Sequence, residues 1–228
     1  QFWTSLGNNL LFAAVVVPVQ SALALGLALL VNQKLRFTTV FRTIYFMPTV
    51  TPMVVVAVIW SFLYHPEGLI NGLLAALPGI PWKPVDFLHD SRWAFPAIMI
   101  TSIWQGVGFQ MLIFLAALQE VPASLLEAAD VDGANMFQKF FFITLPQLRN
   151  AIIFVVVATT ILAFRLFDQV QIMTAGGPRN ATYTMILYVY NTGFQRLNVG
   201  YASALTVVFF LIVLVISIVQ RAVVREEK

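Results

Sequence analysis

The sequence predicts an all-α protein, a polytopic transmembrane helix bundle, and three observations carry that expectation. Hydrophobic residues fill 60% of the 228 positions and charged residues only 10%, with a mean hydropathy of +0.85. A soluble domain carries about 25% charged residues, so this chain lacks the polar surface to face water all round. Its apolar residues also gather into runs of about 20, the length that crosses the hydrocarbon core of a bilayer as a helix. Most of the charge, and many of the Gly and Pro residues, fall between those runs.

Five such runs follow one another: Leu10 to Val31, Ile44 to Tyr64, Ala94 to Leu118, Ala151 to Met173 and Ala202 to Ala222. Pro18, Pro48, Pro52 and Pro96 lie within or at the ends of spans and are expected to kink them. Orientation follows from Lys and Arg, which are enriched in short cytoplasmic loops. The first loop holds Lys34, Arg36 and Arg42, the third holds Lys139 and Arg149, and the tail holds Arg221, Arg225 and Lys228. The second and fourth loops hold only Lys83, Arg92, Arg179 and Arg196. The reading is therefore one transmembrane domain over 1–228, with a cytoplasmic loop at 120–146, extracytoplasmic loops at about 65–93 and 174–200, and a cytoplasmic C-terminus. Gln1 then falls outside. With no initiator Met and no basic segment ahead of a short apolar run, the start reads as the continuation of a longer N-terminal piece rather than as a secretory signal.

Composition also excludes chemistry. There is no cysteine, hence no disulfide, thiolate nucleophile or Cys-ligated metal. No Gly-x4-Gly-Lys-Ser/Thr phosphate loop is present, and no Ser-His-Asp or paired-carboxylate arrangement stands on a plausible scaffold. His65 and His89, with Glu67, Asp86 and Asp90 nearby, lack metal-site spacing, so no metal is assigned. The stretch from Trp82 to Trp93 reads as an interfacial segment. The basic residues are dispersed over loops, which gives no nucleic-acid surface.

The loop at 120–146 carries the most specific pattern. It contains Glu127-Ala128-Ala129, Asp132-Gly133-Ala134, then Ile143, Leu145 and Pro146. It reads as two short helices broken at Gly133, with Pro122 in a first turn, Ser124 and Glu127 at capping-box spacing, and Pro146 stopping the second helix. A short helix pair with an exposed small-residue surface is suited to dock on another protein.

This segment resembles the EAA motif of ABC importer permeases: Glu-Ala-Ala, three residues, Gly, nine residues, Ile, one residue, Leu-Pro, matched at Glu127, Ala128, Ala129, Gly133, Ile143, Leu145 and Pro146. The resemblance implies the type I importer permease fold in a prokaryotic inner membrane, with another N-terminal helix ahead of the first run. It further implies that the loop, Asp132 and Ala134 included, couples to a cytoplasmic ATPase. Ala128 and Ala129 would permit close approach, Gly133 the reversal of direction, and Glu127 a charge-assisted contact. ATP and Mg would be bound by two ATPase subunits, with no cofactor in this chain. A second homologous permease, an extracytoplasmic solute-binding protein and membrane lipid complete the implied partners.

A second resemblance lies in Thr174-x-Gly176-Gly177-Pro178, Thr182, Tyr188-x-Tyr190, Phe194 and Gly200-Tyr201-Ala202, which looks like the pattern of carbohydrate-uptake permeases of the MalF-like and glycerol-phosphate permease A-like kind. It implies a sugar or related polyol as solute, and a binding protein received near Gly176, Gly177, Pro178 and Thr182. An ABC permease for a non-sugar solute such as a glycerol phosphodiester, and a secondary transporter driven by an ion gradient, stay open as alternatives. Candidates for the solute path are the polar residues inside the spans, because hydrocarbon offers them no partner: Thr101, Ser102, Trp104, Gln105 and Gln110 in the third, and Thr159, Thr160, Arg165, Asp168, Gln169 and Gln171 in the fourth. Arg165 and Asp168, three apart, are expected to form an ion pair on one helical face.

Overall fold

The computed structural model describes residues 1–33, 38–78 and 81–225, the last three of these by backbone alone. Lys34, Arg36 and Lys228, used above for orientation, lie outside the described residues. Within them the chain is helical with no strand: α1 (Phe2–Val31), α2 (Thr38–Val50), α3 (Met53–Leu63), α4 (Leu69–Ala75), α5 (Ala94–Gln119), α6 (Ala123–Val131), α7 (Met136–Lys139), α8 (Leu145–Gln147), α9 (Arg149–Phe164), α10 (Asp168–Met173), α11 (Met185–Tyr190) and α12 (Val199–Arg225). Among the described residues α1, α5, the α9–α10 segment and α12 are long and apolar enough to cross a bilayer, and the bent pair α2–α3 makes a fifth crossing if it counts as one span.

Helix α1 lies along α5 and then α9, α2 packs on α5, and α10 packs on α3. Small residues set the closest approaches, as expected where lipid removes the hydrophobic drive and packing and hydrogen bonds hold helices together. A Cβ on Gly108 would stand 2.0 Å from the Tyr45 carbonyl oxygen, so α2 and α5 meet there backbone to backbone. Three apolar cores result among the described residues. One gathers Phe12, Val16, Ala57, Ile98, Val170 and Leu187, the second Ala24, Ala28, Met111, Phe114, Leu148 and Val155, and the third Leu6, Phe164, Met185 and Phe209. By contrast α12 leaves Phe210, Leu211, Val215 and Ile218 exposed, at no cost if those faces meet lipid.

Two expectations about the spans change. The run from Ile44 to Tyr64 is no straight helix but bends by 98° between α2 and α3. Pro52 has no N–H and pushes Thr51 out of the helical region; it sits at φ −55°, ψ 135° as the N-cap of α3. Pro48 and Pro18 lie inside α2 and α1, and Pro96 falls in the first turn of α5, where no hydrogen bond is lost. The run from Ala151 to Met173 is interrupted as well: α9 ends at Phe164 and α10 starts at Asp168, across Phe167 at φ −142°. No Pro or Gly stands there. The freed carbonyls find partners from elsewhere, Asn9 Nδ2 reaching Phe164 O at 3.4 Å and Thr184 Oγ1 reaching Leu166 O at 3.0 Å. The same Asn9, wholly buried, accepts from the Met185 N–H at 2.8 Å and so caps α11. Within the loop at 174–200, α11 inserts its buried Met185, Leu187 and Tyr188 into the bundle.

Candidate functional site

The loop from Glu120 to Leu148 projects from the end of the bundle at which α5 finishes and α9 begins. Pro122, at ψ 125°, is the N-cap of α6 and not a residue of its first turn, and no side chain caps that helix, so the expected Ser124–Glu127 box does not form. The box lies instead at α7, where Asn135 accepts from the Gln138 N–H at 2.9 Å and Gln138 accepts from the Asn135 N–H at 2.8 Å. Helix α6 ends as expected. Gly133 adopts φ +74°, its N–H reaches Asp130 O at 3.1 Å, and the Ala134 N–H reaches Ala129 O at 2.9 Å, the Schellman pattern that needs a residue free to be left-handed. An ion pair between Lys139 and Asp130 ties the two helices together.

Pro146 does not stop the second helix. The chain passes through a π-helical turn over Phe140–Thr144 into α8, where Pro146 occupies the first turn, and Leu148 joins α8 to α9. A widened turn presents neighbouring side chains together, and Phe141 and Phe142 both face outward. They join Val131 (88% exposed), Met136 and Phe137 in an apolar surface. Glu127, Ala128, Asp132, Gly133 and Pro146 are exposed, Ala134, Ile143 and Leu145 are half-buried, and Ala129 is buried. The apolar side chains of that surface are left uncovered by the rest of the chain.

The second feature is a cavity of about 270 Å³ walled on one side by Phe12, Val16, Ala163 and Leu166 of the first apolar core. Gln20 of α1, Met53 of α3, Ser102, Gln105 and Gly106 of α5, Thr159 and Ala163 of α9, and Arg165, Asp168 and Gln169 at the α9–α10 break line it. The bent pair is seated there by Gln105, whose carbonyl accepts from Thr49 Oγ1 at 2.8 Å. Gln169 Nε2 donates to Ser102 Oγ at 3.0 Å. Among the sequence candidates, Ser102, Gln105, Thr159, Arg165, Asp168 and Gln169 therefore meet around one space. Thr101, Trp104, Gln110 and Thr160 stand away from it. Thr101 bonds its own helix at Ala97 O, Trp104 packs its ring 5.4 Å from Trp60, Gln110 bonds Thr159, and Thr160 accepts from Gln220. The expected Arg165–Asp168 ion pair is not formed, because the helix breaks between them. Arg165 is the C-cap of α9 and Asp168 opens α10, so each charge complements the dipole of its own helix end. Gln20 was not foreseen; its signal is an amide that shares with Asn9 the buried α1 face carrying Phe12, Val16 and Ala24.

At the opposite end, the Gly176-Gly177-Pro178 loop is knotted onto itself. Gly176 has φ +86°, and a Cβ there would stand 2.5 Å from the Tyr183 ring. The Thr182 hydroxyl, fully buried, donates to Gly177 O at 2.8 Å and meets Thr174 Oγ1 at 2.7 Å. Asn8 of α1 donates to Asn180 O at 3.1 Å and Tyr183 O at 2.9 Å. Gly176 and Thr182 thus build the loop from within, while Arg179 and Asn180 form its exposed tip. Arg179 and Pro178 border a cleft with Asp86, His89, Asp90 and Ser91 of the second loop. Slight burial pushes the Asp86 carboxyl up, but the His89 ring at 2.9 Å and the backbone N–H groups outweigh it and hold the carboxyl below its ordinary value of 3.8.

Membrane-length helices around a polar cavity, with a protruding helical loop at one end, define a membrane permease subunit. The chain belongs to the binding-protein-dependent transport system inner membrane components, whose family model matches residues 20–228. It is 37% identical to the lactose transport system permease protein LacF of Rhizobium radiobacter, over all of this chain and 77% of that protein. It is 36% identical to the trehalose/maltose transport system permease protein MalF of Thermococcus litoralis, over 99% of this chain and 75% of that one. With the sn-glycerol-3-phosphate permease UgpA of Yersinia enterocolitica it shares 34% identity over 96% of this chain and 74% of the relative. A crystal structure of a bacterial ABC transporter that imports the acidic polysaccharide alginate superposes with a TM-score of 0.89 at 25% identity, covering 100% of this chain and 80% of that one. The protein is a permease subunit of an ABC importer.

Proposed function

We propose that this subunit passes a sugar or a related polyol derivative through the cavity between α1, α5 and the α9–α10 break, driven by ATP hydrolysed on other chains. The carrying observation is the cavity's lining: amides of Gln20, Gln105 and Gln169 and hydroxyls of Ser102 and Thr159 stand beside the apolar walls Phe12, Val16 and Met53. Such a mixture suits a solute whose ring face packs on apolar groups while its hydroxyls exchange hydrogen bonds. Named substrates of the relatives, lactose, trehalose and maltose among them, support the same class.

The loop at 120–146 docks on one of two ATPase subunits, which bind ATP and Mg, and the exposed Val131, Met136, Phe137 and Phe142 form the seat. A second homologous permease closes the far side of the cavity. The C-terminus and this loop are cytoplasmic, as the distribution of Arg and Lys suggests. An extracytoplasmic binding protein delivers the solute at the rim formed by Arg179, Asp86 and His89, next to the loop of Gly176, Gly177, Pro178 and Thr182.

Reconstitution with the partner subunits into vesicles tests this. Uptake of lactose, maltose or trehalose should require ATP and the cognate binding protein, and Glu127→Lys should remove uptake while leaving the permease inserted. Uptake that proceeds on an ion gradient without ATP would sink the reading.

A further inference from the structure

Two amide–hydroxyl bonds hold α9 at one level. Gln110 of α5 donates through Nε2 to Thr159 Oγ1 at 2.5 Å, and Gln220 of α12 donates through Nε2 to Thr160 Oγ1 at 3.0 Å. Gln110 is 3% exposed and Thr159 4%, and the Thr159 hydroxyl donates its own hydrogen bond to Val155 O at 2.6 Å. Gln110 and Thr159 each lie about ten residues, roughly 15 Å of helix, from the 120–148 loop. Thr159 lines the cavity and Gln110 does not. Their bond therefore stands between the loop and the cavity wall.

The surroundings of that bond are apolar: Met111, Phe114 and Val155 fill the space on the loop side. Each dispersion contact of this kind is individually weak, so no single one of them fixes the register of α5 against α9. A hydrogen bond in hydrocarbon is directional and costly to leave unmade. Gln110 Oε1 is moreover buried with no hydrogen-bond partner, so the amide is oriented by its Nε2 bond alone.

We propose that Gln110 is a positioning residue for transport: its bond to Thr159 locks α5 and α9 into one lever, so that displacement of the coupling loop reaches the cavity wall instead of being absorbed by sliding. The proposal rests on the ATP-coupled reading above. Motion enters at α6, passes up the locked pair, and is released beyond Thr159 at the α9–α10 break.

The chain contains no cysteine, so an introduced thiol is unique in it. Met53→Cys reports on the cavity and Val131→Cys on the loop, each read as the rate of labelling by a membrane-impermeant maleimide. Complexes are compared at rest and trapped with Mg-ATP and vanadate. With Gln110 in place, trapping should change the Met53→Cys rate several-fold. In Gln110→Met and Thr159→Val that change should vanish while trapping still alters the Val131→Cys rate, and Thr159→Ser, which keeps the hydroxyl, should behave like the parent. Gln110→Asn, one methylene too short, gives a polar second variant should Gln110→Met assemble poorly. A full Met53→Cys response in the variants overturns the proposal, as does loss of both reporters together, which would mark a merely structural bond. A parent complex in which neither reporter responds to nucleotide instead overturns the ATP-coupled reading.

Discussion

The two glycine turns at opposite ends of the bundle are alike in backbone and opposite in surroundings. Gly133 and Gly176 both hold positive φ, +74° and +86°. Around Gly133 an added Cβ would meet nothing within 4 Å, whereas at Gly176 it would meet Tyr183 at 2.5 Å and Leu187 at 2.8 Å. One turn is built to leave a surface free; the other is built to be filled by its own chain. A motif glycine thus reports either an interface or a fold, and the space around it tells which.

The largest effect should come from the filled turn. Gly176→Val adds a β-branched side chain at positive φ, a genuine backbone outlier, and drives it into Tyr183 and Leu187; little folded permease should be recovered from membranes by size-exclusion in detergent. At the open turn the effect should move from folding to function. Gly133→Asp places a third carboxylate beside Asp130 and Asp132, so the permease should insert and accumulate normally while ATP hydrolysis in vesicles no longer drives uptake. Gly133→Ala should cost only the left-handed strain, about 1 kcal/mol, with uptake nearly that of the parent. Equal loss of protein in Gly133→Asp and Gly176→Val would erase the contrast.

The smallest effect belongs to the outer rim. Because the Asp86 pKa is lowered in the folded chain, its contribution is fully present above the ordinary carboxylate value and is lost as pH falls through the folded value. Hydrogen exchange of the 81–93 segment should therefore be the same in the parent and in Asp86→Asn when both are brought well below pH 3.8, and differ slightly at neutral pH. The exposure of both partners keeps the difference small.

Much of the architecture was legible because hydrocarbon demands it. The third run, read as Ala94 to Leu118, is α5 at Ala94–Gln119, since nothing in that stretch competes with the helix. Pro52 announced a disturbance, but its size depended on Thr49 and Gln105 holding the bend against α5. The break after Phe164 had no local signal at all. Its cause is Asn9, distant in sequence, and Thr184, which satisfy the carbonyls that a broken helix exposes.

The site divides in the same way. Within Glu127 to Pro146 the turn at Gly133 could be read directly, because a left-handed glycine is specified by local residue type, whereas the capping box at Asn135 and the passage of the helix through Pro146 could not. Arg165 and Asp168 were found but wrongly paired, since the spacing rule assumes a continuous helix. Gln20 and the distinction between cavity-lining and helix-tying hydroxyls were invisible, as Thr159 and Thr160 look identical in a run of apolar residues. By itself the sequence determined that this protein crosses a membrane, because its composition leaves too little polar surface for water, and that its 120–146 loop matches the Glu-Ala-Ala, Gly, Ile, Leu-Pro pattern. Only the tertiary structure decided where the spans break and which polar side chains share one cavity. Those outcomes depend on hydrogen-bond partners supplied by other helices, and no local pattern records them.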